Sequence, residues 1–385
     1  MKTLFRRAAV AAGAVALATG ALAADLKVGL SVSLSGPNSS LGIPYAKGMQ
    51  AALAYKPEVN GRKVQLIVLD DASDPTTASR NARKLIEEDK VDLLMGSSGV
   101  PASVAMAQVG KEAKTPMIGL SPLSLDPADN PWIVTVAQPP QLMIDAIVDR
   151  MKSNGVKTVG YIGFTDAWGD LVYGALNKAA APAGIKVVSN ERYARADASV
   201  TGQVLKIVAL RPDAVMTGGA GTPGALPFLA LAERGFKGGV YGQHGLINPD
   251  FIRVAGAAGN GAFMPTGPVI VAEQLAADYP TKKIALDFRS AFQKVNNAPT
   301  TDAFSAYSFD AWLVFADAAA RAMSASKAEA GTPEFRVALR DAILSTKEVV
   351  GTHGVYNFKP GNLYGVDTRA RVIVRLDNGQ WKLAP

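Results

Sequence analysis

From Asp25 onward, short apolar runs alternate with longer segments whose apolar residues recur every three or four positions, the pattern of strand and helix in turn. Lys27–Ser35 and Lys63–Asp71 read as strands, with a helix over 42–55 between them after the Gly36-Pro37-Asn38 turn. Asp74 and Pro75 offer an N-cap and a first-turn proline for a helix that places Ala78, Ala82, Leu85 and Ile86 on one face. Short strands follow at 91–95, 116–120 and 132–137. From Pro139 the plan starts again: helix 141–153, strand 158–164, helix 168–183, strand 185–193, helix 199–210, strand 213–218, helix 224–234 and strand 239–243. Helices near 281–296, 302–323 and 333–346 come next, then strand-like pieces at 349–358, 371–376 and 381–383. Two such series predict an α/β protein with two doubly wound lobes, which take ligands at the carboxyl ends of their strands.

Val91–Met95, Gly96-Ser97-Ser98-Gly99 and the helix opening near Pro101 form the most informative corner. A strand, a small-residue turn and a helix N-terminus present free N–H groups, two hydroxyls and the positive end of a helix dipole, a natural seat for a carboxylate. Helix capping by Ser97 and Ser98 explains the same residues.

Lys2, Arg6 and Arg7 precede an apolar run over 8–18 and Ala21-Leu22-Ala23, the order of a cleavable export leader over 1–23. The run is too short to span a bilayer. Without cysteine, disulfides, thiolate metal sites and a lipidated N-terminus are excluded, and two histidines do not make a metal cluster. Three of the seven net positive charges lie in the leader, which leaves +4 and no basic tract, so nucleic acid is not an expected partner.

Gly219-Ala220-Gly221-Thr222-Pro223-Gly224 has dinucleotide-fingerprint spacing, but no acidic residue stands about 20 positions on, where the chain reads 238–245, so a flexible turn accounts for it better. Ser98 lacks the Gly-x-Ser-x-Gly frame of a hydrolase elbow, and neither His244 nor His353 has a partner that makes it a general base. Asp70, Asp71 and Asp74 are explained by a strand end and a helix cap rather than a cation site. No enzyme, cofactor or metal is therefore expected.

Lys27-Val28-Gly29-Leu30, Leu34-Ser35-Gly36-Pro37, Asn60-Gly61-Arg62-Lys63-Val64, Asp70-Asp71 with Asp74-Pro75, Gly96–Ser98, Thr115-Pro116-Met117-Ile118, Gly242-Gln243-His244-Gly245 and Phe309-Asp310-Ala311-Trp312 stand in a telling order. Together they resemble the branched-chain amino-acid-binding (Leu/Ile/Val-binding) family of periplasmic solute receptors of ABC importers, including its aromatic-acid-binding branch. The resemblance implies two Rossmann-like lobes joined by a three-crossover hinge (the type I periplasmic binding protein fold). Lobe 1 would comprise 24–140 and 268–350, and lobe 2 would comprise 141–267 and 351–385. It further implies a monomer in the periplasm that delivers its ligand to a membrane permease.

By the same resemblance, the ligand carboxylate is anchored at Ser97, Ser98 and Val100, with Ser121 and Leu123 beside them. Trp168 supplies an aromatic face, and Gly219 and Tyr307 complete the contact set. The family threonine falls at Leu123, which has no hydroxyl. The acidic residue that holds an ammonium falls at His244. Histidine gives an ammonium no anionic partner, whereas as a donor it suits a carboxylate, phenol or carbonyl. An aromatic or branched acid is therefore the expected ligand. The alternatives are a branched-chain amino acid whose ammonium pairs with Asp166 or Asp170, and a ligand-sensing module of the same fold.

Overall fold

Strand Leu93–Gly96 is buried along its whole length, and so is Ala214–Gly218 in the second half of the chain. Parallel strands covered on both faces require this, which is why they appear in the sequence as unbroken apolar runs. The computed structural model describes residues 25–300 and 302–384. The leader expected over 1–23 lies outside the described residues.

The first sheet has six strands in the spatial order Glu58–Val59, Arg62–Asp70, Leu26–Val32, Leu93–Gly96, Met117–Gly119 and Ile133–Thr135, all parallel except the short edge strand. The second has seven. Lys186–Tyr193, Thr158–Phe164, Ala214–Gly218, Gly239–Tyr241 and Phe263–Thr266 run parallel, and Val372–Asp377 and Gln380–Leu383 close it antiparallel. In both sheets the parallel strands take the order 2-1-3-4-5 by appearance. The order reverses between Leu26–Val32 and Leu93–Gly96 in one, and between Thr158–Phe164 and Ala214–Gly218 in the other. A crevice opens at the carboxyl end of each reversal, because the flanking connections leave to opposite faces.

Asp74 accepts from the Thr77 N–H at 2.7 Å and caps helix Pro75–Glu87, whose buried residues are Ala78, Ala82, Leu85 and Ile86. Helix Ser39–Tyr55 packs along helix Ala303–Ala325, and Gly48 permits the contact: a Cβ there would stand 2.0 Å from the Ser305 carbonyl oxygen. Gly48→Ala is expected to cost about 1–3 kcal/mol, since only backbone can yield. Gly174→Ala, at an exposed position of helix Ala167–Ala180 with open space around it, is expected to gain about 0.5–1 kcal/mol. Urea unfolding of the two variants checks both signs.

Three differences from the sequence expectations stand out. Helix Pro249–Ala255 and strand Phe263–Thr266 are additional elements. Pro265 argues against a strand, and it is tolerated because parallel pairing with Gly239–Tyr241 stops at Phe263. The third concerns the expected lobe boundary at 350. Asp310, buried in helix Ala303–Ala325, accepts from the N–H groups of Thr352 (2.6 Å) and His353 (2.9 Å) and from the Tyr356 hydroxyl (2.8 Å). This ties the hairpin Val349–Val350/Val355–Tyr356 to the first lobe, and Tyr364 then bridges to Thr135 of the first sheet. The chain reaches the second sheet only at Val372.

Candidate functional site

The two strand-order reversals face each other across one cavity, lined by Leu41, Tyr45, Ser98–Val100, Leu120–Pro122, Ala137, Phe304 and Tyr307 on one side and Trp168, Arg195, Ala220, His244 and Gly245 on the other.

On the first-lobe side, Gly96 has φ +142°, and a Cβ there would lie 2.2 Å from the Ser31 carbonyl oxygen, so the strand can turn tightly into Ser97 and Ser98. Neither serine caps the following helix, Val100–Glu112: its N-cap is Gly99, which makes no side-chain cap bond. Ser97 is buried behind the wall. Its hydroxyl donates to Asp71, and its N–H donates to Ser103 Oγ at 2.6 Å. Asp71 also accepts from Ser33 Oγ at 2.7 Å; burial pushes its carboxyl up, against the pull of these hydrogen bonds. Ser98 is different. Its Oγ accepts from the Ser33 N–H at 2.9 Å, so its own proton remains free for a cavity occupant. The N–H groups of Val100 and Ala102 open the helix and have no intrahelical acceptor.

On the second-lobe side, Asp166 accepts from the N–H groups of Trp168 and Gly169 and so starts helix Ala167–Ala180 with the indole at its first turn. Gln243 holds the next wall, donating to the Gly219 carbonyl and accepting from the Gly245 N–H. His244 is thereby set edge-on to Trp168, with ring centroids 5.4 Å apart and an interplanar angle of 88°. It is 4 % exposed, and neither ring nitrogen has a partner among the described residues. Burial pulls its pKa down to about 3, so the ring is neutral and offers one donor and one acceptor.

Arg195 carries the cation of this wall. It stacks on Phe164, 4.1 Å from the ring centroid, donates from Nε to Asp166 at 2.6 Å and reaches across the cleft from Nη1 to Asn38 Oδ1 at 2.8 Å. Asn38 in turn lies against Gly99, where a Cβ would meet its Nδ2 at 3.0 Å. The guanidinium therefore approaches the same corner as Ser98. Thr222 N–H to Ser40 Oγ, at 3.1 Å, is a second bond across the mouth.

Of the residues expected from sequence, Ser98, Val100, Ser121, Trp168, His244 and Tyr307 line this cavity; Ser97, Gly219 and Leu123 do not. Ser97 is turned onto Asp71 and Gly219 stands behind the wall. Leu123 faces a separate groove, because its N–H and carbonyl both pair with the Tyr364 hydroxyl at 3.0 Å. Arg195, Tyr45, Leu41 and Phe304 were missed. The one available signal was that Arg195 lies just past the carboxyl end of Lys186–Tyr193, where doubly wound lobes place their ligand contacts. Among the described residues, no cluster of three or more histidine, aspartate or glutamate side chains is arranged to hold a metal ion.

The buried histidines give a pH signature. Burial pulls His353, like His244, down to about 3, and pushes the Asp310 carboxyl up to about 6. Below pH 6.5 the unfolded chain protonates imidazoles that the fold keeps neutral, so each histidine withdraws about 2 kcal/mol of stability by pH 5. Asp310 acts oppositely between about 6 and its unfolded value, returning roughly 1 kcal/mol. A net loss on the order of 2–3 kcal/mol from pH 7 to pH 5 is expected in urea unfolding. A flat or rising midpoint contradicts two neutral imidazoles.

Two doubly wound lobes with one cavity between their reversal points are the arrangement of a small-molecule receptor. Comparisons with known proteins agree. Residues 25–359 match the periplasmic binding protein family, and the chain belongs to it. It is 40% identical to an extracellular ligand-binding receptor from Rhodopseudomonas palustris HaA2, with a TM-score of 0.90 over 94% of this chain and 100% of that one. It is 25% identical to the Leu/Ile/Val-binding protein BraC3 of Rhizobium johnstonii over 85% of each chain. A solute-binding protein of an R. palustris ABC transporter, solved in complex with benzoate, shares the fold at 21% identity and a TM-score of 0.76, over 94% of this chain and 95% of that one. No helix among the described residues is long and apolar enough to cross a membrane.

Proposed function

We propose that this chain is the extracytoplasmic solute receptor of an ABC importer, exported by the leader over 1–23, and that its cavity takes a small aromatic or branched carboxylate. One observation carries the ligand class. Among the described residues, the cavity wall contains a guanidinium, free hydroxyl and N–H donors and a neutral imidazole with unpartnered nitrogens, but no acidic side chain. An α-ammonium closed into it would lose its hydration without gaining a counter-charge. A carboxylate at Ser98 and Arg195 gains charge-assisted hydrogen bonds, and the Trp168, Phe304, Leu41 and Leu120 side chains suit an apolar body.

The amino-acid reading is favoured by the printed names of relatives such as BraC3. Against it, Asp166 is engaged by Arg195 and the helix start, and Asp170 pairs with Arg192 at 3.0 Å outside the cavity wall. The benzoate complex shows that a related fold accommodates an aromatic acid.

Mass spectrometry of small molecules released on denaturing the purified protein, followed by calorimetry with benzoate and leucine, tests the ligand class. Small-angle scattering should show compaction on saturation with whichever acid binds. Micromolar leucine binding with no response to benzoate or to any released acid would return the site to the amino-acid class.

A further inference from the structure

The side chain of Gln138 is fully buried at the point where the three connections between the sheets meet. It belongs to the first, between strand Ile133–Thr135 and helix Pro140–Ser153. Its Nε2 donates at 3.1 Å to the carbonyl of Ala370 in the third connection. The second connection touches the same spot at Gly267, where a Cβ would lie 2.9 Å from Gln138 Nε2 and 1.9 Å from His353 Nδ1. No larger residue fits there.

The remaining bonds of this amide lead into the ligand cavity. Gln138 Oε1 accepts the hydroxyl proton of Tyr307, whose ring lines the cavity. Its Nε2 also lies 3.3 Å from His353 Nδ1, while His353 Nε2 lies 2.9 Å from the Ala303 carbonyl. A carbonyl only accepts, so Nε2 carries the His353 proton and Nδ1 accepts from Gln138. The amide thus spends both donors and its acceptor on three different segments. The His353 ring lies flat on Tyr307, with centroids 3.8 Å apart at 14°. Gln138 does not line the cavity, yet it fixes the orientation of a side chain that does.

We propose that Gln138 is a positioning residue that couples cavity occupancy to the hinge: an occupant pressing on Tyr307 holds its hydroxyl on Gln138, and Gln138 holds the first and third connections in their closed-lobe relation. This rests on the receptor reading for the occupant, but the hinge part stands on the bonds alone. Tyr307 is the sensing end, and Ala370 and His353 are the responding end.

The absence of cysteine allows clean labelling of the full chain with Glu87→Cys on one lobe and Lys178→Cys on the other, both exposed. Spin-label distance distributions of the ligand-free protein are measured for Gln138→Met, Tyr307→Phe and the double variant. Each single variant should change the distribution in the same direction, and the double variant should go no further than the larger single one. In a parallel titration with benzoate, both single variants should weaken binding by up to about tenfold, the size of one lost hydrogen bond, without additivity. Unchanged distributions, or additive effects of the two substitutions, overturn the coupling. So does a lowered unfolding midpoint with wild-type distances and wild-type benzoate binding, which assigns Gln138 to stability alone. If wild-type protein ignores benzoate, the ligand class fails while the distance measurement still decides the hinge.

Discussion

Arg195→Met is expected to weaken benzoate binding by about ten- to a hundredfold while the protein remains folded. The magnitude is that of a hydrogen bond to a charged group in a water-poor site. Methionine retains much of the stem that lies on Phe164, and Asp166 keeps its two N–H donors from Trp168 and Gly169, so the second lobe loses little. Two contributions are mixed in this loss, the ligand contact and the bridge to Asn38. Asn38→Ala separates them. It removes the bridge alone and should weaken benzoate and neutral benzamide alike. Arg195→Met should in addition abolish the preference for the acid over the amide. Calorimetry on the four combinations checks this, and an undiminished preference for benzoate in Arg195→Met would remove Arg195 from the ligand site.

The second large effect is expected at His244. Its neutral ring, enclosed and unpartnered, lines the cavity, at the position where the resemblance to amino-acid receptors implies an acid. His244→Glu places a carboxyl in the same enclosure, where burial pushes its pKa up. At pH 8 its ionised form should repel benzoate, weakening it by about a hundredfold or more, and give leucine's ammonium its missing partner. Leucine binding by this variant should strengthen between pH 6 and pH 8 as that carboxyl ionises. Wild-type protein, whose His244 stays neutral across this range, should show no such change. If the variant still prefers benzoate at pH 8, His244 does not stand where the ligand's polar group lies.

Much of the architecture was legible because it rests on local chemistry. Asp74-Pro75 is a cap and a first-turn proline wherever it occurs, and Ala78, Ala82, Leu85 and Ile86 share a face by period alone. Apolar runs such as Leu93–Gly96 have no reading other than a doubly covered strand once helices flank them. Trp168 and His244 were expected from the family resemblance alone; in the structure each stands in the turn or helix that follows a strand of the second sheet. Strand Phe263–Thr266 was not legible, because whether Pro265 is tolerated depends on which neighbour pairs with it, a fact of the sheet and not of the residue.

The sequence by itself determined two doubly wound lobes and the turns at which each presents its ligand corner, since periodicity, caps and turn residues act over a few neighbours. Which side chains stand in the cavity was decided only by tertiary structure. Ser97 and Ser98 are adjacent and alike in sequence, yet one is spent on Asp71 and the other keeps a free proton. Leu123 is drawn away by Tyr364, 241 residues further along the chain. Arg195 reaches the corner of Ser98 only because the lobes face each other and Asn38 receives it from across the cleft. Hydrogen-bond partners so far apart in the chain are chosen by packing and burial, which no local pattern encodes.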